Sequence, residues 1–154
     1  MALKGGYAGM VLEVNLTSGK IDKYPLDESF AAKYIGGRGF TSRLHYDLVP
    51  PDADPLSPEN PIIIAAGPLT GTRAPAGSRF VVGTRSPLTG ILGDGNGGGH
   101  WGPEVKRAGF DLIIVKGKAE RPVYLWIRDG HVELRDASHL WGKDTRQTRQ
   151  LLVD

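Results

Sequence analysis

Residues 93–102, GDGNGGGHWG, hold six glycines beside one Asp, one Asn, one His and one Trp. A stretch so poor in side chains suits a backbone that something else must approach closely. One chemistry that needs this is an anion nest, in which successive N–H groups converge on a phosphate that side chains would keep away. The run leads straight into Gly102-Pro103-Glu104, a helix start, which favours the nest. A tight turn or bulge needing positive φ accounts for the same glycines, and the residues alone leave both readings open. A flexible linker does not fit, because Ile91-Leu92 and Trp101 flank the run without a Ser-rich spacer. No Gly-Lys-Ser/Thr ends it, so it is not a P-loop. GDGNGG satisfies G-x-G-x-x-G in letters, but the strand before it is very short and no acidic residue ends a second parallel strand.

Arg79 opens an apolar segment directly after Ala74-Pro75-Ala76-Gly77-Ser78, and it is the basic residue best placed to fork a phosphate. A solvated surface arginine is the plainer alternative. Between residues 71 and 110 stand Arg73, Arg79, Arg85, Lys106 and Arg107 against Asp94 and Glu104, so the glycine run lies in a basic segment that suits an anion. Gly36-Gly37-Arg38-Gly39 also sets a basic residue among glycines, where a helix C-cap followed by a kink is the simpler reading. His45, His100, His131 and His139 lack ligand spacing, and only His100 lies in the glycine run. Asp94 reads as a turn residue, with a metal or ligand contact as the alternative. No nucleophile elbow or other self-contained catalytic constellation is present.

The elements that must position these groups follow from pattern. Residues 7–16 end in strand-like alternation, and Thr17-Ser18-Gly19-Lys20 turns the chain into a return strand over 20–25. Asp27 caps a helix over 28–35 that Gly36 stops, and a second helix spans 39–48 before Pro50-Pro51. Strands are expected over 61–66 and 79–85, at Ile91-Leu92, and over 111–116, 123–128 and 131–135. The last two join through Asp129-Gly130, a strong hairpin turn. One or two helical turns follow the glycine run over 102–108, and a last helix begins at Asp144. GPLTGT and SPLTG share P-L-T-G and suggest two similarly built turns. The sum is an α+β or β-rich domain.

Composition bounds the chemistry. The chain has 154 residues, enough for one domain with a core, and 22 glycines with 11 prolines mark it as rich in turns. It contains no cysteine, which excludes disulfides, thiolate metal sites and iron–sulfur ligation by this chain. A net charge of +2 and the lack of an aromatic-rich strand motif argue against nucleic acid. No signal-peptide pattern and no run of about 18 apolar residues occurs, so a cytoplasmic protein without membrane contact is expected. The final helix stops at residue 154 without a capping signal, which reads as a chain cut from a longer protein.

PLSPENPIIIAAGPLTGTRAPAGSRF, TRSPLTG, GNGGGHWGPEVKRAGFD, IIVKGKAERPVYLWI and DASHLWGKDT together resemble the amino-terminal domain of the aldehyde ferredoxin oxidoreductase family. The resemblance covers nearly the whole chain. It implies a single tungstopterin-binding domain over 1–154, α+β, built of two mixed, mostly antiparallel β-sheets with a few short helices, on which a bis-pterin cofactor of tungsten or molybdenum sits. It implies that Arg79 reaches the cofactor's phosphates on the side of an iron–sulfur cluster held elsewhere in the full-length enzyme. It implies that Asn96 gives its backbone carbonyl to a magnesium ion bridging the two phosphates, and that Gly98, with Gly97 beside it, offers backbone contact to the cofactor. The implied reaction oxidises aldehydes to carboxylic acids and passes electrons to ferredoxin or another carrier, with the fragment alone inactive. The implied partners are the remaining domains, that carrier and a second copy in a homodimer.

The family commonly shows Asn-Ser-Gly-Gly followed by two aromatics, whereas this chain has Asn96-Gly97-Gly98-Gly99-His100-Trp101. His at position 100 points toward the branch related to benzoyl-coenzyme A reductases, so a subunit of an aromatic acyl-coenzyme A reductase is one alternative. A non-catalytic phosphate-ligand or scaffold domain is the other.

Overall fold

Alternation along MVLEVN sends Leu12 and Val14 to one side of a strand and Val11 to the other, and all three are buried. A strand buried on both faces belongs in the middle of a sheet covered on both sides. The computed structural model describes residues 5–153 and places this strand there. In chain order the elements are β1 (Met10–Asn15), β2 (Lys20–Pro25), α1 (Glu28–Tyr34), α2 (Arg38–Leu48), β3 (Ile62–Ala66), β4 (Phe80–Arg85) and β5 (Leu92–Gly97). They continue with α3 (Trp101–Arg107), β6 (Leu112–Lys116), β7 (Val123–Arg128), β8 (His131–Asp136) and α4 (Thr145–Val153).

Six strands form one mixed sheet in the order β2-β1-β6-β3-β4-β5, in which only β1 and β6 run parallel. The second sheet is the antiparallel hairpin β7-β8, closed by Asp129 and Gly130, both at positive φ. The α+β class and its two sheets are thus as the sequence implied. One face of the large sheet packs Val11, Ile63, Ala65, Leu112 and Ile114 against Ala31 of α1 and Phe40 of α2. The other packs Leu12, Val14 and Ile113 against Val105 of α3 and Val132 of β8.

Local chemistry sets the boundaries. The Asp27 carboxylate accepts from Phe30 N at 2.7 Å and caps α1. Asp144 and Gln147 cap α4 reciprocally, with Asp144 Oδ1 accepting from Gln147 N at 2.8 Å. The two P-L-T-G turns are indeed alike, each closing on a glycine at positive φ, Gly71 at 78° and Gly90 at 71°. At the second, Gly90 N donates to Ser86 O and Ser86 N donates to Ile91 O, both at 2.8 Å, forming a glycine bulge that starts the β4-β5 ladder.

One expectation is overturned here. The strand expected only at Ile91-Leu92 runs instead from Leu92 to Gly97, so most of the glycine run is strand. Its glycines at 93, 95 and 97 alternate with Asp94 and Asn96, a period of two that glycine's low strand preference hides. Pairing with β4, residue for residue from Arg85↔Leu92 to Phe80↔Gly97, supplies what local preference does not.

Candidate functional site

The sheet end where β3 finishes at Ala66, β4 begins at Phe80 and β5 finishes at Gly97 collects the residues singled out above. The loop over 67–79 is fastened there by Thr70, which is buried. Its hydroxyl donates to Arg79 O at 2.7 Å and accepts from Gly67 N at 3.3 Å. Gly102 lies over this latch, since a Cβ there would come 3.0 Å from Thr70 Cγ2. The backbone of Arg79 is therefore fixed while its side chain is exposed, without an ion pair or side-chain hydrogen bond among the described residues.

Arg79 and Gly98 are brought together: a Cβ at Gly98 would sit 3.9 Å from Arg79 Nε. Gly98 is exposed and its φ is not in the left-handed region, so nothing within the described chain requires glycine there. Gly97 faces the Phe80 ring, which in turn packs on Trp101 with centroids 4.4 Å apart. Asn96 pairs with Val81 on the outermost strand. The ladder alternates from the bonded Ser86–Ile91 pair, which makes Val81↔Asn96 a non-hydrogen-bonded pair. The Asn96 carbonyl consequently points away from β4, off the edge of the sheet. This is the geometry an oxygen needs to ligate a hard cation outside the protein.

The nest over 93–97 is not formed, because a strand turns its N–H groups alternately to opposite sides instead of converging them. The basic segment is also smaller than its count. The Arg85 guanidinium donates to the carbonyls of Pro50, Pro51, Ala53 and Gly90 at 2.6–3.0 Å, a purely architectural task. Arg107 pairs with Glu104, and Lys106 with Asp111. Among the described residues Arg73 and Arg79 are the members of that segment left without such partners. Asp94 is no isolated turn residue, since it accepts from Arg38 Nε and Nη2 at 3.1 and 2.7 Å. His100 is exposed just before α3 and makes no capping bond.

Sequence reasoning missed the strap that braces this corner. Asp111, fully buried, accepts from Ala8 N at 3.0 Å and Gly9 N at 2.6 Å and pairs with Lys106. Tyr7 donates its hydroxyl to Ile35 O at 2.7 Å, and burial together with the Asp111 charge raises its pKa. The signal was present: an acid opening an apolar strand, five residues after a lysine on a helix, is an unusual core residue. Thr70 was signalled too, as the polar member of a repeated turn.

The donor set fits a phosphate-bearing ligand with a bound cation: a free guanidinium, an exposed glycine beside it, and an outward carbonyl. Among the described residues no group of three His, Asp or Glu side chains is placed to hold a metal. A cation here would therefore rely on backbone oxygen and on the ligand's own oxygens.

Comparison with known proteins shows the family of the chain. The pattern described as aldehyde ferredoxin oxidoreductase, N-terminal domain, matches residues 11–154. The tungsten-containing aldehyde ferredoxin oxidoreductase of Pyrococcus furiosus is 52% identical over 143 residues, 93% of this chain and 24% of that protein. The enzyme of the same description from Pyrococcus abyssi is 51% identical over 149 residues, 97% of this chain and 24% of that protein. Among solved structures, a chain of the active-site complex BamBC of benzoyl-coenzyme A reductase with 1,5-dienoyl-coenzyme A superposes with a TM-score of 0.94. It is 43% identical and covers 97% of this chain and 23% of that one. The chain thus spans about a quarter of the length of these relatives. It belongs to the aldehyde ferredoxin oxidoreductase family, to which it contributes the amino-terminal domain.

Proposed function

We propose that residues 1–154 are a single cofactor-binding domain of a longer tungsten bis-pterin oxidoreductase that acts on aldehydes. The observation that carries this reading is the Arg79–Gly98 pair beside the outward Asn96 carbonyl, at the end of a sheet belonging to this family. The guanidinium of Arg79 binds phosphate oxygens of the cofactor, and its fixed backbone sets where they lie. Asn96 would give its carbonyl oxygen to a magnesium ion, and Gly98, with Gly97 beside it, would offer backbone contact to the cofactor. When bound, the cofactor supplies the two-electron oxidation of an aldehyde and water to a carboxylic acid, releasing two protons and two electrons. This chain orients the cofactor and neutralises its phosphates. An iron–sulfur cluster, whose thiolates would come from outside this cysteine-free chain, would carry the electrons on to ferredoxin or a similar carrier. Molybdenum in place of tungsten, a homodimeric assembly and a cytoplasmic location belong to the same reading. No helix among the described residues is long and apolar enough to cross a membrane.

The structural likeness to the benzoyl-coenzyme A reductase complex, with His100 in the glycine run, favours a second reading as a subunit that reduces aromatic acyl thioesters. Turnover of aldehydes against that of dienoyl-coenzyme A by the full-length protein separates the two. The test of the site is tungsten, molybdenum and pterin content of the full-length protein and its Arg79→Ala variant. The variant is expected to lose most of its cofactor, while in the cofactor-free protein the same substitution shifts the unfolding free energy by no more than about 0.5 kcal/mol, as for an exposed side chain. A full-length protein that binds neither metal refutes the proposal, and an Arg79→Ala enzyme with full occupancy refutes the site.

A further inference from the structure

The Gly36-Gly37-Arg38-Gly39 corner has no part in the site as described so far, yet its glycines are tightly determined. A Cβ at Gly39 would fall 2.0 Å from Tyr34 O, and one at Gly36 2.8 Å from Ala66 O. Gly36 and Gly37 both sit at positive φ, and Gly37 N donates to Ala66 O at 3.2 Å. These contacts fold α1 back onto α2 at the same sheet end that carries Arg79. They lay the first turn of α2 over β4, with Gly37 above Val81 and Thr41 above Gly83.

From that position the Arg38 side chain reaches across to β5. Its Nε and Nη2 both donate to one oxygen of Asp94, which leaves Nη1 and the other carboxylate oxygen without partners among the described residues. Asp94 and Asn96 are two apart on one strand, so their side chains share a face. Asp94, like Asn96, stands in a non-hydrogen-bonded pair, with its backbone turned off the sheet edge. The Arg38 side chain keeps 67% of its accessible surface against 21% for Asp94, and a pair with one partner this exposed contributes little to stability. What the arrangement does achieve is aim. A guanidinium with a free Nη1 is held along β5, one side-chain position from the outward carbonyl of Asn96.

We infer that Arg38 is a second guanidinium contact for the cofactor's phosphates, on the α2 side of β5, with Asp94 as the positioning residue that aims it. This inference rests on the cofactor-binding reading above. A bis-pterin ligand carries two phosphates. Arg79 meets one at the end of β5, and Arg38 donates from Nη1 to the other while Nε and Nη2 stay on Asp94. The five-donor fork of arginine lets one guanidinium serve a carboxylate and a phosphate together from fixed, spread directions, whereas the three donors of lysine leave from a single nitrogen.

The test compares full-length wild type with Arg38→Ala, Arg38→Lys, Asp94→Ala and Arg79→Ala. Loss of tungsten and of pterin is followed during dialysis against rising inorganic phosphate, with thermal unfolding recorded for each. Losing one charge-assisted phosphate contact acts mainly on release. Arg38→Ala is therefore expected to release cofactor about tenfold faster, Arg38→Lys by less, and Asp94→Ala by an intermediate factor. Melting temperatures of the cofactor-free proteins should stay within about 2 °C of cofactor-free wild type, as for exposed substitutions. Arg38→Ala that holds its cofactor like wild type, while Arg79→Ala releases it, overturns this inference and leaves the proposed function standing. Melting temperatures of the cofactor-free proteins lowered well beyond that margin in both the Arg38→Ala and Arg38→Lys variants overturn it as well, because the corner is then architectural. A wild-type enzyme without tungsten, molybdenum or pterin overturns both.

Discussion

Replacing Lys106 with methionine tests whether the strap behind the site is held by charge. The Lys106 side chain is 8% exposed and that of Asp111 0%, so neither can turn to water when its partner is removed. Methionine keeps most of the stem volume of lysine, and the loss is essentially electrostatic. Asp111 would retain the amides of Ala8 and Gly9 but no counter-charge. Breaking one side of a buried pair costs about 3–5 kcal/mol, because the remaining charge stays desolvated. For a chain of this size that lowers the melting temperature by roughly 10 °C. Asp111→Asn is also destabilising, since its amide nitrogen would face a backbone N–H donor. The double variant removes both charges and should cost less than the sum, with a coupling of about 1–3 kcal/mol. Urea unfolding of the 154-residue chain, followed by circular dichroism, gives all four corners of the cycle. A Lys106→Met variant within about 0.5 kcal/mol of wild type, or additive single effects, would refute the reasoning.

Gly6→Ala should loosen the loop that carries Arg79, because a Cβ at residue 6 would lie 1.7 Å from Pro68 O and backbone cannot yield cheaply. Faster amide exchange over residues 67–79 is the expected reading, and unchanged exchange would contradict it. His45 has a buried Nε2 without a hydrogen-bond partner, and burial with the nearby Arg85 charge lowers its pKa below the usual 6.5. A base whose folded pKa is depressed stabilises the fold above the unfolded pKa and loses that contribution as pH falls through the folded value. Wild type should therefore weaken on acidification below about pH 6.5 by more than His45→Phe does, in unfolding curves recorded across that range. Equal pH dependence in the two proteins would remove His45 as the cause.

Most of the fold was legible because alternation and turn chemistry are local. Val11 to Leu16, the Asp129-Gly130 hairpin and the Asp27 cap each announce themselves within a few residues. β5 was not, since glycine carries no hydrophobic pattern and its strand state comes from pairing with Phe80–Arg85. The tasks of the basic residues were equally hidden. Arg85 and Lys106 read as anion attractors until the fold supplied carbonyls to one and Asp111 to the other. The family resemblance implied that Arg79 and Gly98 meet one cofactor, but the outward turn of the Asn96 carbonyl depends on ladder register. A sequence does not print register.

The position of β6 between β1 and β3 governs how this domain assembles in time. Its register sets Val11 beside Leu112 and Ala65 opposite Leu112, so one late strand joins two early pieces. The β1-β2 hairpin and the β3-β4-β5 meander can each form from neighbouring segments as the chain emerges. β6 alone joins the two pieces into one sheet, and closing the long loop that this requires is entropically slow. The edge that carries Asn96 thus belongs to a piece built from neighbouring segments, while its tie to the β1-β2 hairpin waits on β6 and on Asp111, whose carboxylate holds Ala8 and Gly9 across the corner.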